Sequence, residues 1–293
     1  MPFKSVNKSK KIVLSLLLII YFFPAISNIA PSALNPQKTK TFFNKKQQYF
    51  KDRFIITNSQ KLHYVSTGND TLPMLLFIHG SPGSWDAFKE YLADTGLQKL
   101  AYMVSVDRAG YGQSNEKGFA SLKEQSDFIE PILKLRKNNK PITIISHSYG
   151  GPVSIKLCLA HQNILKQLIL ISPTISPSIE ENIHWKRNLQ TMSQWAIWHW
   201  MIAKDLKTST QEMQPLPDEV RAMEKDFNLF IKPILEIHGT KDALAPFGNQ
   251  QYVLQNFKNC QVDTISLFKK GHLIPFTMPE KLIEIIKNEI TTY

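Results

Sequence analysis

The stretch "ITIISHSYGG", residues 142–151, decides the fold prediction. β-Branched and apolar residues run from Ile142 to Ile145, which is typical of a strand buried on both faces of a sheet. The run ends in small and polar residues followed by Gly150 and Gly151, so the backbone is predicted to turn sharply with little side chain in the way. Ser148 stands at this turn, where its hydroxyl is either a nucleophile or part of a capped turn.

Strand and helix patterns alternate along the chain from Arg53 onward. Apolar strand segments are predicted at "RFIITNSQKLHYVSTG" (two strands), "MLLFIHG", "AYMVSVD", "ITIIS", "LKQLILIS", "PILEIHG" and "VDTISLF". Helical patterns are predicted at residues 85–100, 122–138, 152–165, 249–257 and 279–290. This alternation predicts an α/β fold with a mostly parallel central sheet and helices on both faces.

One segment, residues 173–232, contains no convincing strand and interrupts the alternation. It is rich in large apolar side chains: Trp185, Met192, Trp195, Trp198, Trp200, Met201, Met213 and Met223. We interpret it as a helical cap inserted into the sheet domain. One helical face of it carries Trp195, Trp198 and Ile202, which indicates packing on the domain beneath, a pocket for an apolar substrate, or both.

The N-terminal residues have the composition of a membrane-directed segment. All nine charged residues up to Lys51 are lysines, and an uncharged, mainly apolar run extends from Ile12 to Gln37. Small residues at Ala25 and Ser27 fit a signal-peptidase site, so the segment is either a cleaved signal peptide or an uncleaved membrane anchor. Either alternative predicts a membrane-associated or exported protein, with a membrane surface as partner through this segment.

The net charge of +11 does not indicate nucleic-acid binding, because the charge is unevenly placed. Nine of the 35 basic residues precede Asp52, which leaves 26 basic against 24 acidic residues in the remainder. The two cysteines, Cys158 and Cys260, lie outside any metal-ligand spacing, and whether they pair is left open. We therefore expect no nucleic-acid partner and no metal site.

Polar residues with complementary chemistry follow several of the predicted strands. Ser148 follows one strand, Asp242 follows "PILEIHG", and His272 follows "VDTISLF". These residues resemble the α/β-hydrolase family, whose nucleophile elbow reads G-x-S-x-G and whose triad runs serine, acid, histidine along the chain. The resemblance covers the chain from about Arg53 to the C-terminus and implies the α/β-hydrolase fold with a helical cap insertion.

The chemistry explains why these residue types are required. A serine hydroxyl is a weak nucleophile at neutral pH, so it needs a base such as the imidazole of His272. Asp242 would fix the imidazole tautomer and stabilise the imidazolium. Glu180 and Glu181 are rival acids, because some hydrolases of this fold place the acid one strand earlier; spacing favours Asp242.

The resemblance also implies roles for the residues around the nucleophile. The backbone N–H groups of Tyr149 and Ser81 would form the oxyanion hole, with His79 and Gly80 shaping the preceding turn. Small residues are needed two positions before and after the nucleophile, and here they are Ser146, in place of the usual glycine, and Gly150. The resemblance further implies that His147 shapes the elbow and that Asp107, in "DRAGYGQS", is structural.

These features predict a serine hydrolase that cleaves carboxylic esters of small or medium apolar substrates through an acyl-enzyme on Ser148. "HGSPG", residues 79–83, also resembles epoxide hydrolases and prolyl aminopeptidases, but epoxide hydrolases use an aspartate where this chain has Ser148. A peptidase or amidase of the prolyl aminopeptidase type is one alternative, and a membrane-tethered, non-catalytic binding protein of the same fold is another. Neither a metal nor an organic cofactor is implied, since no motif for either is present.

The predicted organisation divides the chain into five segments. They are a signal peptide or membrane anchor (1–30), a basic juxtamembrane linker (31–52), the first part of the hydrolase core (53–172), the helical cap (173–232) and the second part of the core (233–293).

Overall fold

Eight strands form one sheet in the order β1-β2-β4-β3-β5-β6-β7-β8 in the computed structural model, which describes residues 34–57, 60–115, 117–137, 139–182 and 204–291. The strands are β1 (Lys51–Thr57), β2 (Gln60–Thr67), β3 (Met74–Ile78), β4 (Tyr102–Val106), β5 (Ile142–His147), β6 (Leu165–Ile171), β7 (Ile234–Gly239) and β8 (Val262–Leu267). The pairs β1–β2 and β2–β4 are antiparallel, and all other pairs are parallel. The predicted mostly parallel sheet is confirmed.

Helices cover both faces of the sheet. They are α1 (Pro36–Lys45), α2 (Lys89–Leu92), α3 (Thr95–Leu100), α4 (Leu122–Ile129), α5 (Gly150–Ala160), α6 (Pro177–Asn182), α7 (Lys204–Met213), α8 (Leu216–Met223), α9 (Gly248–Asn256), α10 (Ile274–Thr277) and α11 (Pro279–Thr291). Short 3₁₀ turns occupy Trp85–Phe88, Glu130–Leu135, Gln162–Ile164 and Glu224–Leu229. Alternate residues of the central strands belong to two separate apolar clusters, as expected for a sheet whose two faces are both buried.

One predicted helix, residues 85–100, is divided in the structure. It consists of the 3₁₀ turn Trp85–Phe88 and two short helices, α2 and α3. The division has a local cause, because Asp94 caps α3: its Oδ1 accepts the backbone N–H of Leu97 at 2.7 Å. A capping side chain at this position starts a new helix and does not continue the old one.

The basic segment before the first strand is partly folded onto the core. The linker predicted for residues 31–52 contains α1, and Phe43 of this helix is completely buried. The Phe43 ring stacks on Phe50, with ring centroids 4.6 Å apart, and lies near Trp85 at 6.2 Å. The hydrolase core therefore extends further toward the N-terminus than the sequence predicted.

Two predictions fall on residues outside the described part. The predicted signal peptide or anchor, residues 1–30, lies outside the described residues, and so do the tryptophans of the predicted cap, at residues 185–200. Within the described residues, no helix has the length and apolar character needed to cross a membrane. Cys158 and Cys260 are both free thiols.

Strand order places the candidate residues at one edge of the sheet. Strands β3 and β5 are neighbours, but the chain continues from β3 to β4 on one side and from β5 to β6 on the other. Ligands of open α/β sheets bind beside such a point. Parallel register pairs Ile78 with Ser146 and His147 with Ile171. The segments that follow β3, β5 and β6 therefore begin side by side at the carboxyl ends of these strands.

Candidate active site

Ser148 occupies a sharp turn between β5 and α5. Its φ of 54° lies in the left-handed region, which is strained for a residue with a Cβ. The turn is held by backbone hydrogen bonds: the Ser148 N–H donates to the Ile171 carbonyl at 3.0 Å, and the Gly151 N–H donates to the Ser148 carbonyl at 2.9 Å. This is the geometry of a nucleophile elbow, in which the backbone fixes the position of the hydroxyl.

The residues two places on either side of Ser148 explain how the turn fits against the sheet. A Cβ on Gly150 would lie 2.5 Å from the Ile78 carbonyl oxygen, so only glycine fits there. Ser146 replaces the usual glycine on the other side, and its hydroxyl lies 2.8 Å from the Ser154 hydroxyl on α5. The structure therefore accommodates Ser146 by giving its buried hydroxyl a partner.

Asp242 and His272 form a hydrogen-bonded pair at the ends of β7 and β8. The His272 Nδ1–H donates to Asp242 Oδ2 at 2.8 Å, while Asp242 Oδ1 accepts the backbone N–H groups of Leu244 and Ala245 at 2.9 and 2.8 Å. Burial opposes ionisation of Asp242, but hydrogen bonds from His238 and His272 outweigh it and lower the pKa of the carboxyl. With its proton on Nδ1, His272 carries the free lone pair of a base on Nε2.

The rival acids lie elsewhere. Glu181 forms an ion pair with Arg221, whose second guanidinium nitrogen binds Asp218 at 2.6 Å. Glu180 is buried in α6. The structure thus pairs Asp242 with His272, in preference to Glu180 or Glu181.

His147 joins the nucleophile turn to the loop that carries His272. Its Nε2–H donates to the His272 carbonyl oxygen at 3.1 Å, and the two imidazole rings lie 4.7 Å apart. Burial and the neighbouring His272 lower the pKa of His147 to about 3, so its ring is neutral and cannot compete as the base. Among the described residues, no hydrogen bond joins the Ser148 hydroxyl to the His272 ring.

The loop after β3 packs directly on the nucleophile turn. A Cβ on Gly80 would lie 2.9 Å from the Ser148 Cβ, which shows how closely the two segments approach. The backbone N–H groups of Ser81 and Tyr149 donate no hydrogen bond within the described part of the chain. Both amides are therefore available as donors beside Ser148.

Arg108 holds the loop after β3 through three hydrogen bonds. It was not among the site residues predicted from the sequence. Its Nε donates to the His79 carbonyl at 3.0 Å, its Nη2 donates to the Gly80 carbonyl at 2.8 Å, and its backbone N–H donates to His79 Nε2 at 3.0 Å. His79 Nδ1–H completes the loop by donating to the Gly80 carbonyl at 2.7 Å. Burial, reinforced by the nearby Arg108 charge, lowers the pKa of His79, so its ring remains neutral.

Glu212 of α7 neutralises Arg108. Its two carboxylate oxygens accept from Nη1 and Nη2 at 2.7 and 2.8 Å, and both side chains are completely buried. Tyr111 and Gln125 donate to the same carboxylate at 2.7 Å each. A second contact from α7 reaches the loop, since the Ser81 hydroxyl donates to Ser209 at 2.8 Å. A helix of the predicted cap is thereby fixed to the candidate oxyanion loop.

Asp107, expected to be structural, binds groups within the fold. Its carboxylate accepts the backbone N–H groups of Trp85 and Gln113 at 2.7 and 2.8 Å. The same carboxylate accepts from His63 Nδ1 at 2.7 Å, and the other ring nitrogen of His63 lies 2.9 Å from Asp52. These contacts tie β1, β2 and the loop after β4 together.

Comparisons with known proteins agree with this arrangement. Residues 73–197 match the family described as alpha/beta hydrolase fold. Epoxide hydrolase 1 of Caenorhabditis elegans is 28% identical over 167 residues, which cover 54% of this chain and 40% of that protein. The pimeloyl-(acyl-carrier protein) methyl ester esterase of Nitrosomonas europaea is 24% identical over 261 residues, which cover 76% of this chain and 96% of that protein.

The fold is shared with solved structures at lower sequence identity. An alpha/beta hydrolase enzyme from a Medee basin deep-sea metagenome library superposes with a TM-score of 0.66 at 14% identity, covering 82% of this chain and 98% of that one. The chain spans only about two fifths of the first curated relatives, 40% and 36% of their lengths. The family match and the solved structures agree that this chain has the α/β-hydrolase fold.

Proposed function

We propose that this protein is a serine hydrolase that cleaves carboxylic esters of small or medium apolar substrates through an acyl-enzyme on Ser148. The observation that carries the proposal is the pairing of His272 with Asp242 at 2.8 Å, beside a serine held in the left-handed turn of a nucleophile elbow. A buried carboxylate on Nδ1 is what a histidine needs to act as a base through Nε2.

The proposed reaction uses these groups in two stages. Ser148 Oγ attacks the ester carbonyl while His272 Nε2 takes its proton, and the C–O bond to the alcohol then breaks as the alcohol leaves with that proton. Water attacks the acyl-enzyme by the same route and regenerates Ser148. The Ser81 and Tyr149 N–H groups would stabilise the oxyanion in both stages, because neither has another acceptor in the described part of the chain.

The ester preference draws on two further observations. One relative that this chain matches over 96% of its length is the pimeloyl-(acyl-carrier protein) methyl ester esterase of Nitrosomonas europaea. The nucleophile position holds a serine, as acyl transfer requires, and not the aspartate of the resembling epoxide hydrolases.

The experiment that tests the proposal is covalent labelling of the purified full chain with a fluorophosphonate probe. We expect labelling of the wild type, its complete loss in Ser148→Ala, and turnover of p-nitrophenyl esters that rises with acyl length. The matched control is Ser178→Ala, which changes an exposed serine in the first turn of α6. This variant should label normally. Hydrolysis of prolyl p-nitroanilide but not of esters would favour the aminopeptidase alternative, and absence of labelling in a folded protein would favour a binding protein.

A further inference from the structure

A second buried histidine contacts the same carboxylate oxygen as His272. His238 Nε2 lies 3.4 Å from Asp242 Oδ2, the oxygen that accepts from His272 Nδ1 at 2.8 Å. His238 is the penultimate residue of β7, and its ring is completely buried. Asp242 Oδ2 therefore contacts two histidines: His272 at the candidate site and His238 in the core.

Hydrogen bonding requires a proton on the Nε2 of His238. This nitrogen lies 2.8 Å from the Ala245 carbonyl oxygen, which can only accept. The other ring nitrogen, Nδ1, lies 2.7 Å from Glu236 Oε1. A carboxylate also only accepts, so the ring donates from both nitrogens and carries a positive charge.

Glu236 is held in the orientation that this ion pair needs. Its second oxygen accepts from Gln250 Nε2 at 2.6 Å, and Gln250 Oε1 in turn accepts from the Ser266 hydroxyl at 2.7 Å. Burial disfavours the charged ring of His238, but its contacts with Asp242 and Glu236 outweigh burial and raise its pKa to about 9. His238 is therefore a cation at neutral pH.

We propose that His238, held as a cation by Glu236, is a positioning residue for the Asp242–His272 pair. The inference deepens the proposed function and rests on it. Its contact with the Ala245 carbonyl fixes the loop whose N–H groups bind Asp242 Oδ1. Its Nε2 lies beside Oδ2 of Asp242, the oxygen that binds His272, so His238 also holds this oxygen in line with His272 Nδ1.

The ionisable groups that face His238 come from four parts of the fold. Glu236 lies on its own strand, Asp242 lies in the following loop, and His147 and His272 lie at the ends of β5 and β8. His147 is neutral, with a pKa lowered to about 3 by burial, so it does not change charge where a catalytic histidine titrates. Substitution of Glu236 and His238 therefore isolates the effect of His238 on the Asp242–His272 pair.

The test is the proton NMR signal of the His272 Nδ1–H group in the wild-type chain and in His238→Gln. We expect this signal to move upfield, or to be lost by exchange with water, in the variant, because Asp242 Oδ2 is no longer held against His272. For ester turnover, kcat should fall while KM changes little. Because the NMR measurement needs no turnover, it reports on the inference even if the protein proves to hydrolyse no ester.

Two further variants complete the design. Glu236→Gln combined with His238→Gln removes both charges together, and it supplies the measurement if the single variant does not fold. His63→Gln is the matched control, because it replaces another buried histidine that lies between two carboxylates and contacts neither Asp242 nor His272. An unchanged His272 Nδ1–H signal in a folded His238 variant, or an equal change of this signal in His63→Gln, would overturn the inference.

Discussion

Arg108 binds both carboxylate oxygens of Glu212 in the interior of the protein, through Nη1 and Nη2 at 2.7 and 2.8 Å. The same guanidinium donates to the His79 and Gly80 carbonyls at the carboxyl end of β3. One side chain thus connects a helix of the predicted cap with the loop beside the candidate nucleophile. This connection matters for stability and for the geometry of the oxyanion hole together.

Glu212→Gln should destabilise the protein by about 3–5 kcal/mol, because it leaves the buried Arg108 charge without its partner. The measurement is denaturant unfolding followed by circular dichroism. Arg221→Gln is the control, since it breaks only exposed ion pairs, with Glu181 and Asp218, and should cost much less stability. Similar losses in both variants would show that the Arg108–Glu212 pair contributes no more than a surface contact.

Asp242→Asn should lower kcat for ester turnover by about 10⁴-fold, the effect of losing the tautomer-fixing carboxylate in a serine triad. The asparagine amide can face His272 with its donor group, which would place the imidazole proton on the wrong nitrogen. Glu181→Gln serves as the comparison and should retain activity, because Glu181 pairs with Arg221. Greater loss in Glu181→Gln than in Asp242→Asn would reassign the acid.

Ser154→Ala should destabilise the fold by about 1–3 kcal/mol, because it leaves the buried Ser146 hydroxyl without a partner. Adding Ser146→Gly to it should restore part of this loss, since the second change removes the orphaned hydroxyl. Thermal unfolding of the single variants and the double variant measures the coupling. Strict additivity would mean that the Ser146–Ser154 hydrogen bond does not explain why serine is accommodated there.

His63 should make stability depend on pH. Burial disfavours its charged ring, but Asp107 and Asp52 outweigh burial and raise its pKa above the ordinary value of 6.5. Its stabilising contribution is therefore complete below the unfolded pKa, and it is lost as pH rises through the folded one. The difference in Tm between wild type and His63→Gln should be larger at about pH 6 than at about pH 9. A difference that grows with pH would contradict the charged state of His63.

Most of the sheet could be predicted from the sequence because its central strands are buried on both faces. Continuous apolar runs such as residues 74–78 and 168–171 stand out in the sequence, and each of these lies in a strand. Helix α1 could not be found in this way, because its surroundings are dominated by lysine. Its contacts include the buried ring of Phe43, which stacks on Phe50 and on Trp85, a residue far away in the sequence.

The candidate site likewise contains residues that the sequence predicts and residues that it does not. Ser148, Asp242 and His272 each follow a strand of the parallel sheet, so their order along the chain predicts their proximity. Arg108 lies in "DRAGYGQS", a segment that attracted attention for Asp107 alone. Glu212 carries no local signal, since an acid near the end of a polar helix is ordinary, and only the tertiary contact with Arg108 reveals its role. The Glu236–His238 pair is hidden for a similar reason, within a strand that otherwise reads as apolar.

The order in which these groups occur along the chain has a consequence for protein synthesis. The turn that holds Ser148 belongs to the middle of the sheet, whereas β7 and β8, which deliver Asp242 and His272, are made afterwards. During translation a domain generally folds as a unit, so the sheet is completed only when these last strands have emerged. Until then the chain carries Ser148 without its candidate base and acid. The candidate triad is therefore complete only when the final strands join the sheet.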